Sequence, residues 1–143
     1  MAISPKTLVE QFYFEVWNRA DEGVARQILH PEFKFRASLG PERRGPDGLI
    51  YYMRSIHAAL GNYTCVIDDL IVTENRAAAR MAFKGRHRGR FFEEEPTGQE
   101  ICWAGCAFFT TDGNQIVELW VLGDIDSVKR QLNVGSQTRF ASG

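Results

Sequence analysis

Apolar positions recur first at helical spacing and later at every second residue, and the change at Gly61 divides the chain into a helical half and a strand-rich half. Ser4-Pro5 reads as an N-cap followed by proline at the first helical position. Val9, Phe12, Tyr13, Val16 and Trp17 then share one face and predict a helix from about Pro5 to Arg19. Asp21 caps a shorter helix through Leu29, which His30-Pro31 closes because a residue before proline avoids the helical region. Phe33 to Arg36 alternates as a first strand. Leu39 to Gly48, with three glycines and two prolines, reads as a loop, and Leu49, Ile50, Met53, Ile56, His57 and Leu60 predict a third amphipathic helix.

Beyond Gly61 the period is two through Tyr63 to Thr73, Arg76 to Arg88 and Gln99 to Thr111; a fourth run, Gln115 to Asp124, follows the turn Asp112-Gly113-Asn114. Short connections such as Glu74-Asn75 make these neighbours antiparallel hairpins. Helices first and long strands afterwards predict an α+β fold, with helices packed on one face of a curved antiparallel sheet. Asp126 caps a last short helix through Leu132, and 133–143 reads as a loose tail on a single domain spanning 1–143, with an ordered core at about 4–132.

Charge narrows the partners. Seventeen Lys and Arg against eighteen Asp and Glu leave a net charge of -1, which supplies no field for phosphate backbones or anionic lipid, so neither nucleic acid nor membrane is expected. The start Met1-Ala2-Ile3-Ser4-Pro5-Lys6 has no leader pattern and no apolar run reaches spanning length, which predicts a cytoplasmic protein. Cys65, Cys102 and Cys106 are odd in number and sit inside strand-like runs, and His30, His57 and His87 fall on separate elements. Neither a disulfide framework nor a metal site follows.

Candidate chemistry comes from strand parity. His87 ends the apolar row Ala77, Ala79, Met81, Phe83, Gly85, where an imidazole suits either proton transfer or a structural hydrogen bond. In the last strand Glu118, Trp120 and Asp124 share a side, and a carboxylate beside tryptophan suits a general acid or base, while Asp124 equally suits a helix cap. Asp124 and His87 are thus the candidate catalytic pair. Tyr13, Trp17, Trp103 and Trp120 are candidate substrate-binding walls, with Tyr51, Tyr52 and His57 as further aromatic positions. Gly105 and Ala107 remove bulk in mid-strand, either for a ligand or for a packed aromatic neighbour. The strand Gln99 to Thr111 is apolar on both faces, which predicts a partner subunit and a homodimer. Phe91-Phe92, before three glutamates, belongs to a lid or to an ordinary hairpin loop.

Taken in order, His30-Pro31-Glu32-Phe33, Gly85-Arg86-His87-Arg88-Gly89, Pro96-Thr97-Gly98, Asp112-Gly113, Ile116-Val117-Glu118-Leu119-Trp120, Asp124 and Gln131-Leu132 make the chain resemble the SnoaL-like polyketide cyclases of the nuclear-transport-factor-two-like superfamily. The resemblance implies a cone of bent sheet wrapped by helices, a deep apolar pocket, a homo-oligomer, and acid/base ring closure without metal or cofactor. The family's acidic residue falls here on Val121 and its associated histidine on Ala107. Two functions are therefore carried forward. One is a cofactor-free cyclase, isomerase or hydrolase using Asp124 and His87; the other is a non-catalytic ligand-binding or accessory protein that kept the fold. A pure interaction module is a third.

Overall fold

The computed structural model describes residues 3–38 and 41–142, and beyond Asn133 the course of the backbone alone. Helix α1, Pro5–Glu10, starts where Ser4 Oγ accepts the Thr7 N–H, with Pro5 needing no partner, and it continues as a π-helical stretch over Gln11–Trp17. The wider turn is closed by the Asn18 N–H donating to the Tyr13 carbonyl, five residues back. It leaves Phe12, Tyr13, Val16 and Trp17 all buried. Helix α2, Glu22–Ile28, is capped by Asp21, as its sequence predicts.

Strand β1, Leu29–Arg36, begins earlier than the Phe33 start expected. It includes Pro31, which is tolerated because the ladder to its neighbour is interrupted between Leu29 and Lys34. The expected loop is also shorter: a two-residue strand β2, Arg43–Arg44, pairs with β1, and helix α3, Gly45–Ala59, begins at once. Gly45 at φ 70 makes the turn that a side chain would resist, and Pro46 pre-sets the first helical position. Leu39 and Gly40, in that loop, lie outside the described residues.

The long strands β3, Leu60–Val72, β4, Arg76–His87, β5, Glu100–Asp112, and β6, Gln115–Gly123, form the antiparallel meander. The curved sheet has the order β2-β1-β6-β5-β4-β3. One correction follows: β1 runs parallel to β6, so the sheet is mixed. The segment from β2 through β5, with α3 in it, intervenes between their sequences, as a parallel pair requires. Bulges interrupt β3 between Ile67 and Asp69 and the β5–β6 ladder at Thr110/Thr111.

Helix α4, Ile125–Ser142, replaces the predicted end at Leu132 and much of the tail. Gln137, Arg139 and Ala141 carry helix propensity and no proline intervenes, so the extension meets only weak helix formers and one glycine, with no helix breaker as strong as proline. Gln131 anchors it, its side chain bonding both the N–H and the C=O of Cys102 at 3.0 and 2.7 Å. Helices α1 and α3 cover the concave sheet face, where Phe12 meets Phe109 edge-on at 5.6 Å. No helix among the described residues is long and apolar enough to cross a membrane.

Candidate functional site

Between the helices and the concave sheet lies a cavity of about 360 Å³. On the helical side its walls are Phe12, Tyr13 and Trp17 of the π-helical stretch and Tyr52, Ser55 and Ile56 of α3. Sheet residues Phe35, Tyr63, Cys65, Phe83, Trp103, Leu119 and Val121 form the floor, and Ser38, Arg43, Arg90, Phe91 and Phe92 are among the remaining lining residues. The rings hold one another: Trp17 meets Tyr63 at 5.5 Å and Tyr52 at 5.9 Å, and Trp103 meets Phe83 at 5.5 Å and Tyr63 at 6.1 Å.

Two polar brackets fix this aromatic wall from behind. His57 stacks on Trp17 and donates from Nε2 to its carbonyl at 2.8 Å. Asn18 accepts the Cys65 N–H at 2.8 Å and donates to the Cys65 carbonyl at 3.0 Å, tying the helical layer to β3. Small residues in mid-strand answer the choice left open by the sequence. A Cβ at Gly105 would stand 2.8 Å from Phe83 Cε2, so the missing side chain makes room for a ring of the cavity floor.

The phenols and the buried thiol of the wall are held uncharged. Burial pushes the phenols of Tyr13 and Tyr63 well above the usual range and that of Tyr52 upward, and it pushes the Cys65 thiol up to about 12. No Asp, Glu or His lines the cavity among the described residues. This wall can donate hydrogen bonds and stack against rings, but it carries no ready base at neutral pH.

The sequence-predicted residues divide accordingly. Tyr13, Trp17 and Trp103 line the cavity, as does Tyr52, whereas Tyr51 is exposed and His57 lies behind Trp17. Trp120 is corrected: it stands on the convex face, 38% exposed, with Arg36 stacked over it at 5.0 Å. The bulge at Thr110/Thr111 explains why, since it turns Ile116 inward although Glu118 and Trp120, of the same parity, point out. Glu118 faces Lys34 across 3.6 Å on that outer side.

Asp124 and His87 do not meet at the cavity. Asp124 caps α4, accepting the Ser127 N–H at 3.1 Å, and its own N–H donates to Ala104. His87 is fully buried farther along the sheet, where its backbone N–H donates to Gln99 and its Nδ1 accepts the Thr97 N–H at 3.2 Å. That bond places the ring proton on Nε2, which has no partner among the described residues. His87 thus fastens the connection between β4 and β5, whose segment Arg90-Phe91-Phe92 reaches the cavity. Arg43, Ser38, Tyr63 and Phe83 were not foreseen as lining; Val121 and Ala107 both face inward, paired across β5 and β6, with Val121 in the wall.

Against known proteins, the family model described as SnoaL-like polyketide cyclase matches residues 7–132. A structure from Jannaschia sp. CCS1, described as a SnoaL-like polyketide cyclase, is 18% identical with a TM-score of 0.83, over 94% of this chain and 98% of that one. TsrD from Streptomyces laurentii is 26% identical with a TM-score of 0.78, over 89% and 92%. Among curated proteins, tRNA pseudouridine synthase A of Chlorobium phaeobacteroides is 33% identical over 110 residues. That match takes in 76% of this chain but spans 39% of the length of that relative.

Proposed function

The chain belongs to the SnoaL-like polyketide cyclase family, and from that membership and the cavity we propose that it binds one ring-containing, mainly apolar organic molecule without transforming it by carboxylate or imidazole chemistry. The observation that carries this reading is the wall itself: stacked Trp, Tyr and Phe rings with no Asp, Glu or His among the described lining residues. A volume of about 360 Å³ lies within the range of small-molecule sites. Ring closure by proton abstraction needs a base beside the substrate. Val121 occupies the wall where the resemblance places an acid, and Asp124 and His87 are engaged elsewhere. Tyr13, Trp17 and Trp103 are the walls of the binding site under this reading.

A second copy of the chain belongs on the convex face, where Phe108 and Trp120 pack at 5.8 Å and Leu122 and Val66 stand exposed. We place the protein in the cytoplasm, in keeping with three free cysteines. A thermal-shift panel of aromatic polyketides, steroids and ring-bearing acids, followed by mass analysis of each stabilising compound, tests the binding reading. Stabilisation with the compound recovered unchanged supports it. Conversion to a reproducible product defeats it in favour of catalysis, and no stabilisation by any ring compound defeats the cavity reading altogether.

A further inference from the structure

We propose that the cavity recognises an ionised acid group on its ligand through the guanidinium of Arg43; this rests on the binding reading above and extends it to the ligand's chemical class. Arg43 lies in β2, half-buried, its guanidinium 5.0 Å above the Tyr52 ring and within the cavity lining. The neighbouring bases are neutralised within the protein. Arg44 pairs with Glu42 at 2.7 Å, and Lys34 with Glu42 and Glu118 at 3.6 Å each. Arg43 has no carboxylate within 4.0 Å among the described residues. A partly desolvated cation stacked on a ring and left without a counter-ion gains most from an anion that arrives with the ligand, and its planar fork matches a carboxylate at two points.

Two neutral donors support the same polarity. Ser38 Oγ accepts the Gly123 N–H and keeps its own proton for donation. Trp103 Nε1 is the other, and both groups line the cavity, crowded against Gly123, where a Cβ would stand 3.0 Å from Ser38 Oγ and 3.2 Å from Trp103 Nε1. Arg90 adds a second cation to the lining, shared at 4.0 Å with Glu95. The phenols and the Cys65 thiol stay protonated, so the cavity offers donors and positive charge and no opposing anion. A flat aromatic acid satisfies both requirements, its rings against Trp17, Tyr63 and Trp103 and its carboxylate on Arg43.

The test compares 2-naphthoic acid with 2-naphthamide by calorimetric titration at pH 7.5, using the wild-type protein, Arg43→Gln and Arg44→Gln. The acid is expected to bind wild type at least about tenfold more tightly than the amide, equivalent to about 1.4 kcal/mol. Arg43→Gln is expected to abolish that preference, and Arg44→Gln to retain it. Equal affinities in wild type, a comparison that needs no variant, or a preference that survives Arg43→Gln would overturn the proposal and leave the cavity reading intact. Failure of both compounds to bind would remove the cavity reading and this one with it.

Discussion

Replacing His87 by leucine separates a role in fastening the loop from a role in chemistry. The imidazole Nδ1 accepts the Thr97 N–H at 3.2 Å and lies 3.0 Å from Thr97 Oγ1, and Nε2 is buried without a partner among the described residues. Losing this shared acceptor costs about 1–2 kcal/mol, whereas removing an unpaired buried donor returns about 1–3 kcal/mol. Thr97 is exposed, so water takes over its freed N–H. Leucine also adds apolar burial at a fully buried position. The net expectation from these opposing terms is unchanged or higher global stability, by up to about 2 kcal/mol, read as the urea midpoint at constant slope. Locally the effect is opposite: the Thr97 amide should lose protection from hydrogen exchange. With the loop less firmly held, Arg90, Phe91 and Phe92 line the cavity less often, and ligand affinity should fall a few-fold. A global loss of more than about 3 kcal/mol would refute the reasoning, because only a ring already satisfied on both nitrogens is worth that much.

Gly105→Ala should lower stability by about 0.5–2 kcal/mol, since overpacking against Phe83 and the Leu122 carbonyl outweighs the lost flexibility of glycine; a thermal melt decides, and an unchanged midpoint would contradict the packing. Asp124→Ala should cost about 1 kcal/mol of stability through the lost cap at α4 and leave ligand affinity unchanged, as chemical denaturation and titration would show. Iodoacetamide at pH 8 should label Cys102 and Cys106 in the folded protein before Cys65, whose buried thiol is pushed up to about 12; peptide mapping reads the order. The same shift sets a sign for alkaline pH. The unfolded thiol ionises near pH 9 while the folded one stays protonated, so the unfolded state binds fewer protons and the urea midpoint should fall as pH rises from 9 toward 12.

The fold was largely legible because the change of period at Gly61 separates the elements and because Ser4 and Asp21 mark helix starts by their own chemistry, whereas the start of α3 at Gly45 was hidden in a stretch that reads as a loop. Tyr13, Trp17 and Trp103 followed from period alone, one helical face and one strand face. Trp120 and the side of β6 did not, because parity counts every residue equally and a bulge shifts the count by one; Ile116, buried and in phase with Trp120, pointed to the wrong face. Arg43 was illegible for a different reason. Its strand is two residues long and set among glycines and prolines, so no periodicity reports which way it points, and only its pairing with Phe35 brings it to the cavity. The parallel placement of β1 likewise depends on a partner distant in sequence, which no local pattern encodes.

The irregularity in β3 also protects the molecule from its own kind. The order of the sheet leaves β3 at one end, and its later half carries exposed Ile71 and Val72, an invitation to an incoming strand. The displaced register between Ile67 and Asp69 falls in the middle of that border, with Asp68 beside it. A foreign backbone laid along it would meet a break in the row of hydrogen-bonding groups and two negative charges where continuity is required. In the first half of the same strand Asn18 already holds both backbone groups of Cys65, so one amide, one misstep in register and a pair of aspartates interrupt this border and disfavour growth of the sheet into a fibre.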